Sequence, residues 1–309
     1  MYLGIGGLRA ANEAIEYTNE MIEEVIRCKE DIIYFAEHYF HIVTIDEGKQ
    51  LITLFDYQKK MLKAFIDPPD YKSNKTEENE PKRHIIVKIA RQSGKTTTAT
   101  IFLLWYALFN KDKTIAILAN KEPTAIEILD RIKLSFKHLP LWLQQGIADS
   151  GWNKKSIKFE NGVKIMARAT SPDSISGETV SLLYMDEFAK VQEHIAEEFI
   201  TSTYPVISSG KTSKVIICST PTGMNHFFEF WQRAIRGESN FFPVSVPWHE
   251  HPNRDEKWKQ DMIKDIGNIR FSQEFACLQS QSIVNVKDTT TNLIKTITLK
   301  ELFEGENYK

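Results

Sequence analysis

From His84 onward, short apolar runs alternate with longer helix-like stretches. Strands are predicted over 84–90, 114–119, 163–168, 181–186, 214–219 and 242–247. Thr114-Ile115-Ala116-Ile117-Leu118-Ala119 and Lys214-Val215-Ile216-Ile217-Cys218 are almost continuously apolar. Runs of that kind suit strands covered on both faces of a mainly parallel sheet. Helices are predicted near 95–109, 122–138, 191–204, 225–236 and 254–266. Upstream, residues 10–40 read as amphipathic helix, with Ile15, Met21, Ile22, Val25 and Ile26 among Glu and Lys, then an aromatic helical patch from Asp31 to Phe40. Asp56-Tyr57-Gln58 precedes a short helix. The polar run after Pro68-Pro69, to residue 82, reads as an exposed loop. The chain has no visible internal repeat. Alternation of this kind implies a doubly wound α/β core with ligand at the carboxyl ends of the strands.

Two motifs fall at those ends. Ile89-Ala90-Arg91-Gln92-Ser93-Gly94-Lys95-Thr96 joins a predicted strand to a predicted helix. Strand, tight loop, Gly-Lys-Thr and helix form the context of a phosphate-binding loop, whose backbone N–H groups face bound phosphate. Gln92, Ser93, Gly94, Lys95, Thr96 and Thr97 are the expected nucleotide-binding residues. Lys95 would reach the β- and γ-phosphates of ATP, and the Thr96 hydroxyl would ligate Mg²⁺. The leading Gly of the usual pattern is replaced by Ile89, and Gly-Lys-Thr alone also fits an ordinary helix N-terminus. The second motif decides between these. Leu182-Leu183-Tyr184-Met185-Asp186-Glu187 is a buried-type strand ending in two carboxylates. Asp186 would hold Mg²⁺, and Glu187 would act as general base on the attacking water. Together the motifs imply a P-loop NTPase of RecA/ASCE-like type. Its mainly parallel sheet would carry helices on both faces, with a helical N-terminal extension and a short β-hairpin tail.

Other residues are candidates beside these. Arg91 lies inside the loop, where a guanidinium suits charge developing on the γ-phosphate; a structural ion pair is the alternative. Ser219-Thr220-Pro221 ends the strand after the two carboxylates. Ser219 and Thr220 are candidates for coupling hydrolysis to motion, although Pro is also an ordinary way to end a strand. Tyr57 and Gln58 are candidates for stacking on and pairing with adenine, or else mark a helix start. Arg131 is a weaker candidate for a finger offered to a neighbouring subunit. Ser171-Pro172-Asp173-Ser174-Ile175-Ser176-Gly177 reads as a loop able to contact DNA or nucleotide.

Composition constrains the partners. The chain has 309 residues, 42% hydrophobic and 26% charged, with net charge −2. Any DNA contact must therefore use a local patch. The longest apolar run, Ile101–Phe109, is too short to span a bilayer, so no membrane partner is expected. Met1-Tyr2-Leu3-Gly4 lacks signal-peptide order, and Cys28, Cys218 and Cys277 have no metal-ligand spacing. A reducing cytoplasm is the expected compartment.

Asp56-Tyr57-Gln58, Ala90 to Thr96, Ser171-Pro172-Asp173 with Gly177, Leu183 to Ala189 and Ser219-Thr220-Pro221-Thr222-Gly223 together resemble the ATPase domain of the large terminase subunit of tailed bacteriophages. Arg-Gln-x-Gly-Lys-Thr without the leading Gly is that family's form of the loop. The likeness covers roughly residues 25–276. It implies a motor that packages double-stranded phage DNA into a procapsid. Such a motor self-associates into a ring on the portal protein and works with a small terminase subunit. It would act in the host cytoplasm and transiently at the portal, without remaining in the mature virion. The resemblance also makes Arg91 a cis finger. Residues 1–50 are assigned to a helical extension and 51–276 to the ATPase domain. The family's RNase H-like nuclease domain is expected to be absent, so no nuclease activity is expected of this chain.

Residues 277–309 resemble something else. Cys277-Leu278 is followed by Ile283-Val284-Asn285-Val286, a polar turn and Thr296-Ile297-Thr298-Leu299. This is similar to the N-terminal fragment of a split intein. Cys277 would then attack the Ala276 carbonyl, giving a thioester. A complementary chain would carry the intein remainder and the nuclease domain. An inert cysteine in a truncated or frameshifted tail is the alternative. Two further readings of the whole chain are a DNA helicase or translocase, which would need a second RecA-like domain, and a non-catalytic terminase fragment.

Overall fold

The computed structural model describes residues 1–68, 82–208 and 210–275, and the backbone of 283–287 and 294–298. Most of the predicted 67–82 loop lies outside the described residues, as does Cys277.

The amino-terminal region differs from a single helical extension. Helix α1 (Asn19–Glu30) begins only after Thr18, whose hydroxyl accepts a hydrogen bond from Met21 N. Residues 9–13 take another course. Ala11 N donates to Ile147 O and Ile147 N to Arg9 O, so the backbone groups of this segment are used on a neighbouring strand. Helix α2 (Ile32–Tyr39) is capped by the Asp31 carboxylate, which accepts from Ile33 N and Tyr34 N. An antiparallel pair not foreseen in the sequence follows, β1 (His41–Thr44) and β2 (Gly48–Leu51). Helix α3 (Asp56–Ile66) contains Tyr57 and Gln58 in its first turn.

The alternating core then runs β3 (His84–Ile89), α4 (Lys95–Phe109), β4 (Thr114–Ala119), α5 (Glu122–His138), β5 (Ile147–Asn153), β6 (Ser156–Phe159), β7 (Lys164–Ala169), β8 (Leu182–Asp186), α6 (Glu193–Ser202), α7 (Tyr204–Ser208), β9 (Lys214–Ser219), α8 (His226–Ile235), β10 (Phe241–Val246), α9 (Glu256–Ile266) and α10 (Asn268–Glu274). Among the described residues these strands form an eight-stranded sheet in the order β10-β3-β9-β8-β4-β7-β6-β5. Pairing is parallel from β10 to β7. The β5–β6–β7 edge is antiparallel and was not anticipated. The predicted 191–204 helix is divided between α6 and α7, and α10 is additional. Gly267, with φ +82°, ends α9 and turns the chain into α10.

The sheet is covered on both faces, as the continuous apolar strands require. Successive residues alternate between two buried clusters. Ile85, Val87, Ile115 and Ile117 pack with Phe35, Met61, Phe102 and Leu129. Ile86, Ala116, Leu118 and Leu183 pack with Phe199, Phe227 and Trp231 on the other face. The amino-terminal helices therefore share one core with α3, α4 and α5. Because five neighbouring pairs are parallel, the carboxyl ends of β3, β8, β9 and β10 share one edge. The tail contributes a separate antiparallel pair, β11 (Ile283–Lys287) and β12 (Ile294–Thr298), matching the expected hairpin.

Candidate functional site

The loop leaving β3 is held at each step. Ala90 N donates to Val246 O at 3.0 Å, prolonging the β3–β10 pairing, and Arg91 N donates to Glu274 O at 2.9 Å. Gln92 and Gly94 both have left-handed backbone, φ +55° and +66°. Gly94 is needed for space as well: a Cβ there would lie 2.6 Å from Gln58 Nε2. That amide donates to Thr98 Oγ1, which donates to Gly94 O. Lys95 then opens α4, which has no side-chain cap. Its first N–H groups are thus left for an anionic group, as a phosphate-binding helix N-terminus requires.

Opposite the loop, β8 delivers Asp186, and Glu187 follows in left-handed conformation at φ +53°. Lys95 Nζ lies 2.9 Å from Asp186 Oδ1 and 2.5 Å from Glu187 Oε1. Burial pushes the Lys95 pKa down, but the Asp186 and Glu187 charges outweigh it and hold it above the ordinary value. Burial likewise opposes ionisation of Glu187. Lys95, and then Lys190 at 3.0 Å, more than offset that and lower its pKa. Asp186 is further fixed by the buried Tyr184 hydroxyl, which donates to Oδ1 at 2.9 Å. Thr96 Oγ1 donates to Asp186 Oδ2 at 3.4 Å. A hydroxyl and a carboxylate side by side are two hard oxygen donors, the donor set that suits Mg²⁺.

The end of β9 is tied to the turn that follows Glu187. Ser219 is fully buried, and its Oγ accepts from Ala189 N at 3.1 Å while donating to Thr220 O. Thr222 Oγ1 and Asn225 Nδ2 both donate to Ala189 O. His226 Nε2 donates to Phe188 O at 2.8 Å. The turn after Glu187 is thereby tied to Ser219 and to the start of α8, where Asn225 is the cap.

The remaining candidates contact other partners. Arg91 is exposed and pairs with Glu274 at 3.0 Å. Arg131 pairs with Glu127 one turn away on α5. It also lines a cavity of ≈ 220 Å³ with His41, Val43 and Thr97. Gln58 is buried and used on the loop itself, and its Oε1 accepts from Phe55 N. Tyr57 is buried beside Phe55 and His251; burial pushes its phenol up to about 12. The Ser171–Gly177 loop folds on its own turns and is anchored by Arg168, which donates to Ser174 O, and by Thr203, which donates to Pro172 O.

One residue of the site was not foreseen. Arg254, buried between β10 and α9, donates to Ser93 Oγ, Arg91 O and Gln92 O at 2.9–3.1 Å. The stretch from Pro247 through Arg254-Asp255 also resembles the terminase family, but that likeness gives Arg254 itself no role; its guanidinium sits over the Trp258 and Phe275 rings at 4.8 and 5.4 Å.

Comparison with known proteins bears on this arrangement. The family described as "Terminase large subunit, T4likevirus-type, N-terminal" matches residues 86–299, more than half of the chain. The match crosses Cys277, where the terminase pattern was expected to stop. Among solved structures, the HK97 bacteriophage large terminase superposes with a TM-score of 0.62 at 18% identity, over 83% of this chain and 56% of its own. The Thermus phage P74-26 large terminase ATPase domain gives 0.51 at 20% identity, over 66% of this chain and 93% of its own. A large terminase from a thermophilic bacteriophage, in complex with ADP, gives 0.54 at 13% identity, over 77% of this chain and 56% of its own. At these identities the likeness establishes a shared fold. The chain spans little more than half the length of the HK97 protein and of the ADP-bound terminase.

Proposed function

The chain belongs to the T4likevirus-type terminase large subunit family, in its N-terminal part, and on that premise we propose that it is the ATP-hydrolysing motor domain of a phage DNA-packaging machine. The observation that carries this reading is the Lys95–Asp186–Glu187 cluster, which faces the uncapped start of α4.

The chemistry follows from those contacts. Lys95 pairs with both carboxylates. When ATP enters, Lys95 turns to the β- and γ-phosphates, guided by the loop N–H groups. Thr96 and Asp186 would hold Mg²⁺, which supplies positive charge against the phosphate oxygens. Glu187, freed from Lys95 and still paired with Lys190, accepts the proton of the attacking water. Arg91 leaves Glu274 and meets charge on the γ-phosphate. Gln92, Ser93, Gly94 and Thr97 line the phosphates. Gln58, bonded to Thr98 against Gly94, supports the loop, with Tyr57 beside it on the adenine side. Loss of the γ-phosphate would relax Glu187, and the hydrogen bonds that Ala189 donates to Ser219 and accepts from Thr222 would carry that change into α8.

The work done is translocation of double-stranded DNA into a procapsid by a ring of these subunits on the portal protein, with a small terminase subunit. The compartment is the host cytoplasm, transiently at the portal. ATP turnover by the purified chain should require Mg²⁺ and should fall about 10²–10⁴-fold in Glu187→Gln, while ADP affinity changes little. Absence of turnover by the wild type, with and without DNA and small subunit, would sink the motor reading.

A separate proposal concerns residues 277–309. Cys277 is followed by the β11–β12 pair, the order of an intein start, and we infer trans-splicing to a chain bearing the nuclease domain. The family match runs through this region, so the inference rests on the tail's own pattern. Co-expression with neighbouring open reading frames, followed by mass spectrometry, should give a joined product lacking 277–309 that Cys277→Ala abolishes. If no joined product forms with any of them and added thiol releases no cleaved chain, the tail is not an intein fragment.

A further inference from the structure

We propose that Arg254 is a positioning residue that holds the phosphate loop in its binding form, by tying the Arg91 and Gln92 carbonyls back so that the next N–H groups face the phosphates. This rests on the ATP-binding reading above. The loop has two features that call for an outside support. Its leading position is Ile89, fully buried in β3, where the usual loop has glycine. Gln92 is left-handed without being glycine, a conformation that side chains disfavour.

Arg254 meets both features with one planar fork. Nη2 reaches Arg91 O at 3.0 Å and Gln92 O at 2.9 Å, and Nη1 reaches Ser93 Oγ at 3.1 Å. In a planar trans peptide, C=O and N–H point in opposite directions. Anchoring the Arg91 and Gln92 carbonyls toward Arg254 therefore turns the Gln92 and Ser93 N–H groups away from it. Neither N–H donates to another described residue, which leaves both for an anionic ligand. The fork is itself fixed. It is buried, stacks on Trp258 and Phe275, and precedes α9, whose start is capped by Asp255. Three side-by-side donors in one plane are a property of guanidinium that an ammonium lacks.

The full chain tests this, with a fluorescent ADP analogue titrated in Mg²⁺ buffer and unfolding followed in parallel. Arg254→Ala should weaken ADP binding about ten- to hundredfold, as expected when bonds from a charged donor are lost. Arg254→Lys should lie between the two, retaining the charge without the fork. Millimolar guanidinium should restore binding to Arg254→Ala and leave the wild type unchanged, whereas urea at equal concentration should do neither. A merely structural arginine would show no such rescue. If Arg254→Ala does not fold, Arg254→Lys carries the test. A folded variant that binds ADP within about twofold of wild type overturns the proposal. A wild type that binds no ADP overturns the ATP-binding reading as well, so the two failures are told apart.

Discussion

Two ion-pair systems arise from one short loop, and they differ in almost every respect. Lys95 is buried and pairs with Asp186, whose side chain is 3% exposed, and with Glu187. Arg91, four residues earlier, is 56% exposed and pairs with Glu274 on α10. The inner system cannot be opened without a replacement charge, because an unpaired buried carboxylate is costly. The outer one sits in water, where such a pair is worth about 0–1 kcal/mol and is screened by salt. Stability and chemistry are thus fused at Lys95 and separable at Arg91. On the proposed reading the inner pair would be exchanged for phosphate and metal, whereas the outer arm can move at almost no cost.

The most severe way to break this contrast is Lys95→Met. It leaves Asp186 buried without its cation, so unfolding free energy should drop by about 3–5 kcal/mol. ATP turnover should fall by at least about 10²–10³-fold, the effect of losing one charge-stabilising donor. Denaturant unfolding separates the two effects. Lys95→Met combined with Asp186→Asn should recover much of the stability and none of the turnover. An unchanged denaturation midpoint in Lys95→Met would show that the inner cluster contributes nothing to stability.

pH sharpens the same point. Glu187 is depressed in the folded state, so its contribution is present above the unfolded pKa, about 4.3. It is lost as pH falls through the folded value. Lys95 is raised, so its contribution is present below about 10.4 and is lost as pH rises through the folded value. The stability difference between wild type and Glu187→Gln should therefore be flat through neutral pH and shrink in acid. A difference that instead shrinks between about pH 6 and 8 would mean that another group controls Glu187.

How much of this could be read from the chain depends on the distance over which each feature is decided. β4, β9, α4 and α5 fall within the predicted bounds, because continuous apolar runs and helical periodicity are local signals. β5 was invisible: Asp149, Ser150, Gly151 and Asn153 are turn formers, and its pairing slips register between Ile147 and Trp152. Residues 10–17 read as helix in the sequence, yet Arg9 O and Ala11 N bond Ile147 of β5, which no local pattern reports. The site divides in the same way. Lys95, Asp186 and Glu187 sit where strand ends in a parallel sheet place them. Tyr57 and Gln58 are sequence neighbours that α3 sends to different partners, His251 and Thr98. Arg254 meets Ser93 across 161 residues of chain, and a contact of that range leaves no trace in spacing.

The smallest structural effects belong to the outer arm, and they are the ones that establish its independence. Glu274→Gln removes the charge facing Arg91, so stability should change by no more than about 1 kcal/mol, less still in high salt. Arg91→Ala should be equally mild toward unfolding. Yet if Arg91 leaves Glu274 for the γ-phosphate, Arg91→Ala should cost about 10³-fold in turnover, the lower end for an arginine finger. Glu274→Gln should not cost turnover at all, because it releases the arm instead of removing it. That opposition between two partners of one ion pair is the useful signature. A purely structural pair would make both variants behave alike, since either change breaks the same contact. Steady-state ATPase measurements at low and high salt on the two variants decide the matter. Equal losses of turnover in Arg91→Ala and Glu274→Gln would return Arg91 to the role of a surface tether for α10.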